Sequence, residues 1–443
     1  MPELEHSPTR VLVVGGGAAG VVTAAAVLRD AVGSPVDVQV VERGDVTGPG
    51  LAYSTEDPLH LLNNYAGRMS ALEDRPDDLL RWCAEQGVAA TPDTFLPRTT
   101  YGRYLGSLLD RVPVPRGSRL SRLRGEVVDL DDTGLGYRAT LATGAVVEAD
   151  VVVLALGNPP PRPLRGLRGL DVSRADAVAE NPWEPGLVGR VPQDGRVLLV
   201  GTGLTMVDVA ARIGESRPFA QITAVSRHGL LPERHLAVDR GLVPPYPNTD
   251  AALGTLVNAV RRPAERGEDW RAVVESLKCV ANDLWAGFGP VDRERFVRHV
   301  SRHWEVVRHR MAPPMARVID DLVGSGRLVV GTAPDGLDAG DYDLVVNCTG
   351  PAPACSPGWN PLVDRLAVKG MLWPGPFGLG IDVDPLGAVL DGHGMRARAM
   401  YVVGAARRGS EWEVAAVPDL RRQATAIAQH LASSVPELDG VAG

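Results

Sequence analysis

Lysine is almost missing from this chain of 443 residues: of its 46 basic side chains only Lys278 and Lys369 are lysines, and the rest are arginine. Such usage reflects a GC-rich coding sequence more than a polybasic surface, and a net charge of -8 argues against nucleic acid as a main partner. Cysteine is scarce too. Cys83, Cys279, Cys348 and Cys355 include no C-x-x-C or C-x4-C pair, which removes the closely spaced dithiol of the disulfide reductases. Cys and His do not cluster at zinc-ligand spacing, so no metal is expected. His299, His303 and His309, set among Arg298, Arg302, Arg308 and Arg310, read as a solvated basic helix face. No apolar stretch is long enough to span a membrane without a glycine interruption, and the segment before Arg10 is too acidic and polar for a secretory signal. The expectation is a cytoplasmic protein with no membrane partner, long enough for two or three domains.

Glycine, by contrast, is placed with purpose. Val11-Leu12-Val13-Val14 runs into Gly15-Gly16-Gly17-Ala18-Ala19-Gly20, and Val197-Leu198-Leu199-Val200 runs into Gly201-Thr202-Gly203-Leu204-Thr205-Met206. After a buried parallel strand, the first glycine makes a tight turn, the second lets a pyrophosphate approach the backbone, and the third allows close packing of helix on strand. The pyrophosphate then rests on a helix N-terminus. The first copy has its full context: an Ala/Val-rich helix from about 18 to 29, then a strand over 36–42 ending in Glu42 and Arg43. A carboxylate about twenty residues beyond the glycines suits the hydroxyls of an unphosphorylated adenosine ribose. The second copy has Met206 in place of the third glycine, and its next strand ends in Ser226-Arg227-His228. An arginine there makes a forked contact with a 2′-phosphate that a carboxylate would repel. FAD is therefore assigned to the first site and NADPH to the second.

Further along, Gly48–Ser70 reads as loop, a helix is expected over 76–86 and another from about 101 to 110, and alternating strands fill 124–150. Two apolar strands end in glycine, at Gly157 and at Gly350, and a third ends at Gly404. The pattern predicts an α/β protein with two Rossmann-like dinucleotide domains, the NADPH domain inserted into the FAD domain. The expected spans are 1–190 for the first part of the FAD domain, 191–340 for the NADPH domain with a helical insertion at about 251–325, and 341–443 for the second FAD part. A helix is expected over 417–431, its N-terminus placed to favour negative charge on a reduced ring.

Several runs together carry a family likeness: Gly48–Ser70; Pro97-Arg98 with Tyr101-Gly102-Arg103-Tyr104; Gly201–Asp208; Ser226–Pro232; Asn347–Pro351; and Gly404 with Arg408-Gly409, Trp412-Glu413, Val417-Pro418 and Leu420-Arg421. The chain resembles the FAD/NAD(P)-binding flavoprotein family that is related to the class B and N-hydroxylating flavin monooxygenases. The resemblance spans nearly the whole chain outside the helical part of the insertion, and it includes Met206. Asn64-Tyr65 departs from the Val-Pro expected there, which reads either as a substrate-specificity feature, making these two residues substrate candidates, or as loop drift.

The resemblance implies FAD and NADPH as cofactors, and a small-molecule substrate and O2 as partners, with homo-oligomerisation left open. It implies hydride transfer to FAD and oxygen transfer through a C4a-(hydro)peroxyflavin, with a small amine or amino acid hydroxylated at nitrogen as the preferred substrate class. Candidate groups at the flavin are Asn63, Arg68, Met69, Ser70, Asn347, Trp412 and Glu413; Asn63 and Asn347 are the candidates for a direct chemical role. Two other readings stay open: an NAD(P)H-dependent flavin oxidoreductase that inserts no oxygen, and a non-catalytic flavin-binding protein.

Overall fold

The computed structural model describes residues 7–31, 35–169, 177–238, 251–266, 270–333 and 337–438; the first residues of the acidic N-terminal stretch lie outside these. The chain divides into two compact units. The first comprises residues up to Glu56, Tyr65–Pro159 and Pro353 onward, and the second comprises Asp57–Asn64 and Pro160–Ala352.

The first unit is built on Thr9–Val14. Its Val11–Val14 run is buried, the mark of a strand covered on both faces, and it pairs in parallel with Val36–Glu42 on one side and Val151–Leu154 on the other. The sheet continues to Arg119–Arg124 at one edge. At the other edge lie Arg396–Val402 and, antiparallel to it, Ala388–Leu390. Ala18–Asp30 and the long C-terminal helix Val417–Leu438 pack together in this unit. A three-stranded antiparallel sheet, Val127–Asp132, Tyr137–Leu141 and Val146–Ala149, fills the alternating stretch. Lys369, one of the two lysines, clips onto it through Asp129 and Asp131, both at 2.6 Å.

The second unit holds a five-stranded sheet in the order Leu328–Thr332, Gln221–Ser226, Arg196–Val200, Leu344–Asn347, Val178–Ala179, with every pair parallel. Leu204–Ser216 and Pro313–Gly324 are its principal flanking helices. Helices also fill the expected insertion, among them Leu253–Glu265, Trp270–Cys279, Ala281–Gly287 and Ser301–Arg308.

The seams differ from the expected spans. They fall at 159/160 and 352/353, not at 190/191 and 340/341, because Leu344–Asn347 pairs with Arg196–Val200 and Val178–Ala179 pairs with Leu344–Asn347, so both strands join the second sheet. The break coincides with the proline run after Asn158, where backbone donors are missing. The basic face also needs correcting. His299 and His303 are exposed, but Arg310 is only 2% exposed and pairs with Glu275 at 2.5 Å, because Trp270–Cys279 lays a carboxylate against it. Among the described residues, no helix is long and apolar enough to cross a membrane.

Candidate functional site

The two glycine turns have the same construction in their separate units. Gly15 has φ +101° and donates to Val41 O at 2.9 Å; Gly201 has φ +116° and donates to Val225 O at 2.7 Å. A Cβ on Gly15 would lie 2.3 Å from Ala155 O, and one on Gly201 would lie 2.2 Å from Cys348 O. Each carbonyl belongs to the residue that follows the neighbouring parallel strand, so both glycines are demanded by backbone approach as well as by φ. Gly17 and Gly203 then take extended conformations as N-caps of Ala18–Asp30 and Leu204–Ser216, and no side chain caps either helix. A Cβ at Gly203 would meet nothing within 4 Å. Two uncapped helix N-termini, one behind the all-glycine turn Gly15–Gly17 and the other behind Gly201-Thr202-Gly203, fit the pyrophosphates of two dinucleotides.

The third position separates the copies. A Cβ on Gly20 would lie 1.9 Å from Gly15 O, whereas Met206 is accommodated and wholly buried in the second copy. At the end of the second strand of the first unit, Glu42 accepts from Gly16 N at 2.7 Å and from Gly44 N at 2.8 Å. A carboxylate has about four acceptor positions, so capacity for ribose hydroxyls is left. Arg43 beside it is exposed, 4.0 Å from Glu126. In the second unit the equivalent strand end carries Ser226, whose hydroxyl meets that of Thr202 at 2.8 Å; Thr202 also donates to Leu230 O at 2.6 Å. Thr202 is thereby turned inward, while Arg227 and His228 are exposed beyond the strand and Leu204 and Thr205 open the helix half-buried.

Around the first turn, the segment after Glu42 is packed by glycines on both sides. A Cβ on Gly48 would lie 2.6 Å from Gly106, and one on Gly102 would lie 2.3 Å from Tyr53 O, so the loop lies directly on the helix Arg98–Arg111. That helix also pins the candidate residues that follow Tyr65. Tyr101 donates to Met69 O at 2.9 Å, and Tyr104 accepts from Ala71 N at 2.9 Å while donating to Asp78 at 2.7 Å. Burial raises both phenols, keeping them neutral donors. Arg421, on the C-terminal helix, donates to Ser70 O at 3.0 Å and to Glu73 at 2.6 Å. Ser70 itself is buried and its hydroxyl donates to Arg75 O at 2.6 Å. Arg68 lies over the buried Tyr65 ring, which also meets Phe95.

Gly157 is exposed with φ +73° and open space beyond it. Gly404, with φ +88°, is buried close to Ala19 and donates to Gln423 Oε1 at 2.9 Å. Gln423 passes this on to Glu411 at 2.9 Å, and Glu411 meets Arg407 at 2.5 Å. Burial pushes the Glu411 carboxyl up and the Arg407 guanidinium down, and their pairing opposes both shifts. Arg408 sits 4.0 Å over the Trp412 ring, and Trp412 and Glu413 are buried.

Three candidates, Asn63, Asn64 and Asn347, belong to the second unit. Asn63 O accepts from His235 Nε2 at 2.9 Å. Burial beside Arg310 and Lys278 lowers His235 to about 3, so the ring is neutral. Asn347 is fully buried: its amide nitrogen donates to Arg162 O at 2.9 Å and Glu180 at 2.7 Å, and its oxygen accepts from the Thr349 amide and hydroxyl. Both donors and the oxygen are engaged, so this geometry ties Asn347 into the second unit. Sequence reasoning picked out Tyr101, Tyr104 and Arg421 as motif residues without giving them a task, and passed over the Arg407–Glu411–Gln423 chain. The spacing Gly102-x3-Gly106 on a helix was the available signal, since it marks a face for close approach.

Residues 12–159, about a third of the chain, match the family model described as FAD-NAD(P)-binding. No curated protein matches the sequence. Among solved structures, the ornithine N-hydroxylase of Kutzneria sp. 744 shares 16% identity and a TM-score of 0.60, with 96% of this chain and 99% of that one covered. L-lysine 6-monooxygenase from Pseudomonas syringae shares 16% identity at a TM-score of 0.58, with the same coverage. The bacillithiol disulfide reductase of Bacillus cereus shares 15% at 0.53, again with 96% and 99% covered. At such identities the likeness is one of fold: the two-dinucleotide architecture of flavin monooxygenases and reductases.

Proposed function

We propose that this protein is an FAD- and NADPH-dependent monooxygenase that hydroxylates the nitrogen of a small amine or amino acid. The observation that carries the reading is the pair of equivalent glycine turns in separate units, one with Glu42 and the other with Arg227 at the diagnostic strand end. The missing closely spaced dithiol weighs against the disulfide reductases that share the fold. The fold likeness to the ornithine and lysine hydroxylases supplies the substrate class by analogy. The balanced reaction is R–NH2 + O2 + NADPH + H+ giving R–NHOH + NADP+ + H2O.

The residues divide the work as follows. Gly15, Gly17, Ala19 and Gly20 receive the FAD pyrophosphate on the N-terminus of Ala18–Asp30, and Glu42 accepts from its adenosine ribose. Gly201, Gly203, Leu204 and Thr205 receive the NADPH pyrophosphate, Ser226 and His228 flank it, and Arg227 forks onto the 2′-phosphate. When bound, FAD supplies hydride acceptance and oxygen activation. The segment Arg68–Ser70, held by Tyr101 and Arg421, and the segment from Gly404 to Glu413 would shape its surroundings and limit access of water.

The test is NADPH oxidation by the purified yellow protein under labelled oxygen, with a panel of amines and amino acids. The reading expects one substrate to accelerate oxidation and to gain one labelled oxygen atom per NADPH consumed. Equal NADPH oxidation under nitrogen with a dye or quinone, and no labelled product in air, would replace it with a flavin oxidoreductase that inserts no oxygen.

A further inference from the structure

In the second unit the strand order reverses at Arg196–Val200: Gln221–Ser226 and Leu328–Thr332 lie to one side of it, Leu344–Asn347 and Val178–Ala179 to the other. A dinucleotide across the carboxyl ends of such strands sets its pyrophosphate on the turn after the central strand and sends its two nucleosides to opposite sides. With the turn at Gly201–Gly203 and the adenosine end at Arg227, the nicotinamide end falls over Asn347 and the residue that follows Ala179.

The strand registers draw a row of residues along that edge. Val225 and Asn347 both stand beside Val200, and Ala179 stands beside Val346, which puts Glu180 next to Asn347. Two distances tie the row to the turn. A Cβ on Gly201 would lie 3.0 Å from Thr349 N, and Asn347 Nδ2 donates to Glu180 Oε2 at 2.7 Å.

Glu180 is exposed, yet its carboxylate is fixed in place: Leu164 N donates to both oxygens, at 3.0 and 3.2 Å, beside the bond from Asn347. A carboxylate accepts at about four positions, so acceptor capacity is left. Thr349, also exposed, donates its hydroxyl proton to Asn347 Oδ1 at 2.7 Å, and its hydroxyl therefore faces any further partner with lone pairs alone. Gly350, with φ +84°, has no atom within 4 Å of an added Cβ, so open space lies alongside. This edge offers acceptors and negative charge. It suits a neutral group rich in O–H donors and repels a phosphate. In NADPH that group is the nicotinamide ribose, whose two hydroxyls are free, whereas the adenosine ribose carries the 2′-phosphate at the opposite end.

We propose that Glu180 accepts hydrogen bonds from the hydroxyls of the nicotinamide ribose, which makes it a binding residue for the half of NADPH that Arg227 does not reach. This rests on the assignment of NADPH to the second unit and deepens it. The carboxylate does on the nicotinamide side of the second unit what Glu42 does on the adenosine side of the first.

The test is isothermal titration calorimetry of the full-length protein and Glu180→Ala with three ligands: NADP+; 2′,5′-ADP, which lacks the nicotinamide nucleoside; and the NADP+ analogue whose carboxamide is replaced by a carboxylate. For Glu180→Ala the expected result is a Kd raised about tenfold for NADP+ and for the acid analogue alike, with that for 2′,5′-ADP within about twofold of wild type. Glu180→Gln, which keeps an acceptor for Leu164 N, carries the same comparison with an expected rise of about threefold. An unchanged Kd for NADP+ in Glu180→Ala overturns the proposal. Equal rises for NADP+ and 2′,5′-ADP overturn it too, because they mark a distorted strand end. A rise for NADP+ that is absent with the acid analogue overturns it in favour of a carboxamide contact. Wild-type protein that binds neither NADP+ nor 2′,5′-ADP removes the NADPH assignment itself, whereas a failure to insert oxygen leaves these titrations untouched.

Discussion

Gly20 lies so near the carbonyl oxygen of Gly15 that a Cβ built on it would stand 1.9 Å from that oxygen, whereas Met206, at the matching place in the second fingerprint, carries a whole buried side chain. The two turns share their first and second glycines and differ in how close the following helix comes to the turn. Gly20→Ala should therefore cost about 1–3 kcal/mol of stability, through overpacking against backbone that has little room to move. Urea unfolding and the flavin-to-protein absorbance ratio would measure it, with loss of bound FAD as the expected companion. Met206→Gly should instead destabilise by about 2–5 kcal/mol by emptying a filled core position. Gly20→Ala with wild-type stability and full FAD would show that the first helix can retreat as the second does.

Arg407 and Glu411 form a buried pair, with side chains 2% and 18% exposed. Glu411→Ala would strand the Arg407 cation and release Gln423 from one of its partners, at a cost of about 3–5 kcal/mol. Because Gln423 also holds Gly404 N, loss of FAD should accompany the loss of stability. Chemical denaturation of Glu411→Ala beside Glu411→Gln checks this, the glutamine being the milder change.

His235 supplies an acid dependence of stability. Its folded pKa, about 3, is below its ordinary value near 6.5, so between these limits the unfolded chain binds a proton that the folded chain refuses. Stability is therefore complete above pH 6.5 and falls as pH drops toward 3. From pH 7 to pH 5 this one group removes about 2 kcal/mol. His235→Gln, which can still donate to Asn63 O, should flatten that part of the pH profile in unfolding experiments. A variant slope equal to the wild-type slope would mean that His235 takes up its proton in the folded state at ordinary pH.

On the proposed reading, Arg227 is the residue that discriminates NADPH from NADH. Arg227→Ala should raise the KM for NADPH at least tenfold, about 1.4 kcal/mol of lost 2′-phosphate binding, and leave that for NADH within about twofold. Steady-state kinetics with both cofactors tests it, and equal effects would remove the 2′-phosphate assignment.

Much of this molecule was legible in its sequence, and the parts that were not share a physical cause. The strand-glycine-helix units at Gly15 and Gly201 are local, so periodicity and glycine placement located them, and the helix start at Ala18 followed. Distant pairings were opaque. Nothing in Val178-Ala179 announces that it will join Leu344–Asn347 and move the domain seam. Arg310 looked solvated because its partner Glu275 lies on another helix, and Asn347 looked chemically available because Arg162 O and Glu180 come from far away in the chain. Tyr101 and Tyr104 on Arg98–Arg111 were visible as motif residues; that their hydroxyls meet Met69 O and Ala71 N depends on the fold.

The central claim, FAD in the first unit reduced by NADPH from the second, is tested most directly by anaerobic mixing of the purified full-length protein with either nicotinamide, following the flavin band near about 450 nm. The account predicts that NADPH bleaches the band at least about tenfold faster than NADH does at equal concentration, and that Arg227→Ala erases the difference. A bound flavin that neither nicotinamide reduces would contradict it, and would leave a flavin-binding protein without the hydride transfer proposed for these two sites.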